Sequence, residues 1–122
     1  MSKQDKKLGQ AGEIMADEYL QRGGFKILER NYHTRYGELD IVAQKNEVVH
    51  FIEVKTRSGT SYGSAKEALT RSKQHRLWQA GMRYMEQKNV KVSDYQFDLI
   101  TISKVAGRWQ IERWNNIIEA ED

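Results

Sequence analysis

The sequence predicts a single mixed α/β (α+β) domain, a central mixed sheet of about five strands flanked by helices in the order α-β-β-β-α-α-β-β. Three observations predict it. Apolar residues near the N-terminus and again around residues 72–87 recur at helical spacing. Five short runs rich in β-branched and aromatic residues occupy the stretches between and after them. No proline, internal repeat or low-complexity tract interrupts the 122 residues, and a chain of this length builds one core rather than two, so residues 1–122 are read as one domain.

The first helix is predicted over residues 8–22, with Leu8, Ala11, Met15 and Tyr19 as its apolar stripe and Gly23-Gly24 as its stop. Glu13 falls at the border of the apolar arc, close in angle to Leu20, whereas a merely solubilising glutamate more often lies on the far side. The runs FKILERNY, ELDIVA and VVHFIEVKT follow, divided by turns at 35–37 and 45–47, and read as an antiparallel meander. A polar loop at 58–64 and a short helical piece at 65–69 lead into a helix over 72–87. There Leu77, Gly81, Tyr84 and Met85 form the core stripe, and Lys73, Arg76, Ala80 and Arg83 line a neighbouring side. Two further strands, YQFDLITI and RWQIERW, are joined by a turn at 104–107. Asp98 is expected to be a buried, hydrogen-bonded structural acid, and Trp78, Trp109 and Trp114 to lie in the core or at an interface.

The net charge of +3 conceals an uneven distribution. Residues 55–91 hold nine Lys or Arg against Glu67 and Glu86, which leaves +7 there and −4 on the remainder. That polarity suits an anionic partner, although a run of helical cations can also be a solvated face. Arg57, Lys73, Arg76 and Arg83 are the candidate phosphate contacts for DNA. No apolar run approaches the roughly 18 residues of a membrane span, and MSKQDKKLGQ lacks a secretory signal, so a cytoplasmic protein without a membrane partner is expected. The absence of cysteine excludes disulfides and thiolate zinc sites; any metal must be held by carboxylates, histidines or carbonyls. His33, His50 and His75 are too scattered to suggest a cluster.

The chemistry concentrates in GELDIVAQKNEVVHFIEVKT, where Asp40 is followed after twelve residues by Glu53 and, two positions on, by Lys55. In a strand Glu53 and Lys55 share a face, and a tight turn at Asn46 and Glu47 sets Asp40 opposite Glu53 to within about one residue of register. Opposed like charges destabilise a sheet by up to ~1 kcal/mol, so the pair calls for a compensating cation. Mg²⁺ (or Mn²⁺) is suited to it, because Mg²⁺ takes one or two carboxylates and keeps water or phosphate oxygens in its other positions. Lys55 could then orient or deprotonate the attacking water in phosphodiester hydrolysis. The same residues also suit a half-exposed sheet in which Glu53 and Lys55 simply pair. Glu38, on the face of Asp40, is a possible supporting acid.

Together GQAGEIMADEYL, RNYHTRYGELDIVA, FIEVKTR, the helix containing Lys73, and FDLI resemble the YraN-type family of small bacterial proteins, over nearly the whole chain. That family belongs to the restriction-endonuclease-like superfamily named for its PD-(D/E)xK motif and is related to archaeal Holliday-junction resolvases. The resemblance implies a restriction-endonuclease-like core, with Glu13 helping to bind a metal, Asp40 and Glu53 as main ligands, Lys55 as the catalytic lysine and Lys73 on phosphate. It implies a metal-dependent endonuclease acting on branched or structured DNA, and a homodimer. The motif's leading proline is absent, Glu38 and Leu39 standing before Asp40. The alternative is a non-catalytic nucleic-acid-binding module on the same fold.

Overall fold

A computed structural model describes residues 3–58 and 69–118, with helix α1 (Lys3–Arg22), strands β1 (Lys26–His33), β2 (Glu38–Lys45) and β3 (Val48–Ser58), helix α2 (Arg71–Gln87), and strands β4 (Asp94–Val105) and β5 (Arg108–Trp114). Apart from Ser58 and Leu69, the expected loop at 58–64 and short helix at 65–69 lie outside the described residues. The five strands form one sheet in the order β1-β2-β3-β4-β5. The first three make the expected antiparallel meander, β3 and β4 run parallel, and β5 returns antiparallel, so the sheet is mixed.

Each helix covers one face. On one side Ala16 and Leu20 of α1 pack with Phe25, Ile41, Ala43, Ile52, Ile100 and Ile102; on the other Leu77, Ala80 and Tyr84 of α2 pack with Leu39, Val42, Val49, Phe51, Phe97 and Leu99. Strands β2, β3 and β4 are covered on both sides and read accordingly as nearly continuous apolar runs. Helix α1 stops at Gly23-Gly24 as expected, closed by the Phe25 N–H donating to the Leu20 carbonyl and the Gly24 N–H to the Gln21 carbonyl.

Three expectations need correction. The buried stripe of α1 is Gly12, Ala16 and Leu20, while Tyr19 is exposed, because small residues let the helix lie closer to the sheet than large ones. Ala80 belongs to the core of α2 rather than to its basic side. Of the core-or-interface expectation for the tryptophans only the core half fails: Trp78, Trp109 and Trp114 are 43%, 36% and 40% exposed. Among the described residues no helix is long and apolar enough to cross a membrane.

Candidate active site

The hairpin between β2 and β3 turns in two residues, Asn46 and Glu47, with Asn46 in the left-handed region (φ 56°) that such a turn needs. Its ladder runs from Lys45↔Val48 to Ile41↔Ile52. One step further on this register sets Asp40 across from Glu53, but there the ladder ends. The Val54 N–H instead donates to Asp40 Oδ2 at 2.8 Å, so a side-chain carboxylate replaces a carbonyl acceptor where the two strands part. The Asp40–Glu53 pair expected from the sequence thus falls one step past the last pair of the ladder, where the strands part, and is not itself a rung of it.

Each helix delivers one residue to this gap. Gly12 of α1 lies so close to β3 that a Cβ there would stand 1.9 Å from Thr56 Oγ1, and this approach seats the next residue, Glu13, within hydrogen-bonding reach of Asp40. On the other face, a Cβ on Gly37 would meet the Arg76 carbonyl oxygen at 2.9 Å, so the start of β2 sits directly against α2. The first turn of α2 is fixed by Thr70, whose hydroxyl accepts from the Lys73 N–H at 3.2 Å. Lys73 Nζ then reaches Glu53 Oε1 at 3.1 Å. Asp40 thus leans towards Glu13 on one helix and Glu53 towards Lys73 on the other.

Burial and crowding set the charges. Desolvation, opposed by the Val54 N–H and reinforced by Glu13, pushes the Asp40 carboxyl up to about 6. Desolvation also raises Glu53, with Asp40 adding to it and Lys73 opposing it. Glu13 is raised by burial and by the charges of Glu53 and Glu38, against the relief of its hydrogen bond with Asp40. Three acids with raised proton affinity, tempered by the charges of Lys73 and Lys55, mark a place where positive charge is favoured.

The other candidates are more dispersed. Lys55 is exposed, and its charge lowers the proton affinity of Glu53. Arg76 and Arg83 are exposed on α2, and Arg57 is half-buried on β3. Glu38 contacts His33 Nδ1 at 3.4 Å in an exposed pair and reaches the site through its charge. A pocket of about 550 Å³ opens beside Glu13 and Asp40 between α1 and β1, with Asp17, Glu18 and Arg30 in its wall. Sequence reasoning missed the Lys73–Glu53 ion pair and the anchoring N–H of Val54; the first depends on a contact between distant segments, and the second is a backbone group that no residue pattern reveals. Asp98 is the structural acid expected of it, 1% exposed and accepting from the Asn116 N–H at 2.9 Å and Gln96 Nε2 at 2.8 Å, with His50 Nδ1 at 2.7 Å.

Residues 12–102 match the model of the uncharacterised protein family UPF0102, a span that includes Glu13, Asp40, Glu53, Lys55 and Lys73. The chain belongs to that family. A UPF0102 protein of Syntrophomonas wolfei is 42% identical over 116 residues, covering 95% of this chain and 98% of that one. One of Alkaliphilus metalliredigens is 39% identical over 97 residues, 80% of this chain and 85% of its own. A third, of Clostridium perfringens, is 40% identical over 103 residues and 84% of both.

In this UPF0102 member the donors at the gap are all carboxylate oxygens, the type that hard divalent cations prefer. Among the described residues no three His, Asp or Glu are gathered closely enough to hold a metal ion in this arrangement, since Asp40 and Glu53 lean apart. A site on two carboxylates is within the habit of Mg²⁺, and the raised proton affinities of Asp40 and Glu53 favour a cation for the same electrostatic reason. The donor chemistry alone suits a hard cation; among the described residues the carboxylates are not gathered to hold one.

Proposed function

We propose that this UPF0102 protein is a Mg²⁺- or Mn²⁺-dependent endonuclease of the restriction-endonuclease-like type that hydrolyses phosphodiester bonds in branched or structured DNA. The observation that carries the reading is the nearness of Glu13, Asp40 and Glu53 where β2 and β3 part, close enough for their charges to act on one another, with Lys55 two residues beyond Glu53 on β3. Asp40 and Glu53 would hold the cation, assisted by Glu13. Such an ion lowers the pKa of a bound water and offsets the charge that develops on phosphate.

The chain's own groups do the rest. The Val54 N–H fixes the Asp40 carboxylate in one orientation, and Lys73 holds the Glu53 carboxylate from the opposite side. Lys55 orients the attacking water and balances negative charge on the phosphorane. The exposed Arg76 and Arg83, with Arg57, contact the DNA backbone away from the bond being cut.

Cleavage of junction, flap, duplex and single-stranded DNA with Mg²⁺ and with Mn²⁺ tests the proposal. Wild type cuts at least one branched substrate. Lys55→Ala and Glu53→Ala each lose on the order of 10² to 10⁴ in rate while DNA binding persists, and Glu53→Ala alone weakens binding of Mn²⁺ measured directly. If wild type binds DNA but cuts none of these substrates, the non-catalytic binding module replaces the enzyme; mutants that cut like wild type overturn the site.

A further inference from the structure

The sheet has two edges, and they are treated differently. Strand β1 is broken by a register shift between Ile27 and Glu29 and carries Asn31 at φ 51°, irregularities that twist an edge and discourage pairing with another chain. Strand β5 has neither. Its register with β4 is unbroken from Leu99↔Trp114 to Val105↔Arg108, and among the described residues no strand pairs with its outer edge. This open edge presents Trp109 and Trp114, 36% and 40% exposed.

The side chains of β5 also form a pattern complementary to themselves. Pairing with β4 sets Arg108, Gln110 and Glu112 on one face and Trp109 and Ile111 on the other. The Trp114 indole N–H donating to Thr101 Oγ1 fixes the first face, and Lys104 stacking on Trp109 and the packing of Ile111 beside Ile102 fix the second. If a second β5 is laid antiparallel along this edge about Gln110, Arg108 stands opposite Glu112 of that copy, and Glu112 opposite its Arg108. On the other face each Trp109 meets an Ile111. Both charged residues are exposed, and neither makes an ion pair among the described residues.

We infer that the outer edge of β5 is the site at which a second copy of this chain docks, joining two sheets across a two-fold axis at Gln110 through Arg108–Glu112 and Trp109–Ile111 pairs. Directly opposed unlike charges and aromatic–aliphatic pairs are the contacts that stabilise an antiparallel pair of strands. A contact of one patch with its own copy closes as a dimer rather than growing into a filament. The inference stands independently of any nuclease activity.

Sedimentation velocity of the full chain over a range of concentrations tests it. Wild type sediments as a dimer. Arg108→Glu alone sets two like-charged pairs in the interface, as does Glu112→Arg alone, and each weakens self-association about tenfold or more. An equimolar mixture of the two variants restores the dimer, because every pair is again opposite in charge. Circular dichroism checks that both remain folded; should either fail to fold, the double variant Arg108→Glu with Glu112→Arg must dimerise like wild type. A wild type that stays monomeric at about millimolar concentration, single variants that dimerise undiminished, or a folded mixture that does not recover overturns the inference.

Discussion

Two aspartates of this sheet show how surroundings decide the role of one side chain. Asp98 is buried, and burial alone would raise its carboxyl, yet donors from His50, the Asn116 N–H and Gln96 outweigh it and hold the group below the ordinary range. It is satisfied as an anion and belongs to the scaffold. Asp40 accepts one N–H and faces Glu13, and is pushed up to about 6. Folding therefore favours its proton, and the stability present below the ordinary value of 3.8 is lost as pH rises towards 6 and stays lost above it. Asp40→Asn keeps an oxygen for the Val54 N–H and removes the charge. At pH 8 urea melts should find this variant more stable than wild type by on the order of 1–2 kcal/mol, with the gap closing near pH 3.5. A variant less stable than wild type at pH 8 would show that the anion is stabilised in the fold. A group that weakens its own fold is what the proposed active site predicts of Asp40.

At the scale of elements, the strands were the legible part. Period-two alternation and a two-residue turn fix the register of the β2–β3 hairpin from Lys45↔Val48 to Ile41↔Ile52 once residues 46 and 47 are read as the turn. The end of the ladder at Ile41↔Ile52 was not legible, because a carboxylate replacing a carbonyl leaves the residue pattern unchanged. The face of α1 was misjudged for a different reason: hydrophobic spacing looks for large side chains, and this helix buries Gly12 and Ala16 where it lies against β3. That contact can be tested. Gly12→Ala should destabilise the fold by about 1–3 kcal/mol, since the added methyl overlaps Thr56. Thr56→Ala removes the hydroxyl nearest to it, so the double variant should recover part of the loss in thermal melts, a coupling that independent sites would not show. Because Glu13 follows Gly12 in the helix, Gly12→Ala should also impair the metal binding proposed for this site.

On the scale of the whole molecule, the sheet separates two electrostatic surfaces. Between Gln10 and Gln21, α1 carries Glu13, Asp17 and Glu18 and no base, whereas α2 carries Arg71, Lys73, Arg76 and Arg83 against Glu86. The gap between Asp40 and Glu53 opens between these surfaces, so a polyanion is expected to approach from α2 and meet the carboxylates at the border. Lys73 is a poor probe of that approach, because its loss also frees the charge of Glu53. Arg76 and Arg83 are better ones, being exposed and in no ion pair among the described residues. Their joint replacement by alanine should lower the slope of log affinity for DNA against log salt by about 1–2, the effect of losing one or two phosphate contacts. Replacing Arg22 and Arg30, which pair with Glu18 and Asp17 on the acidic side, removes the same formal charge from the other surface. That control should leave the slope almost unchanged. Equal changes in both double variants would mean that net charge governs binding rather than the α2 surface, and the orientation of DNA on the sheet would have to be abandoned.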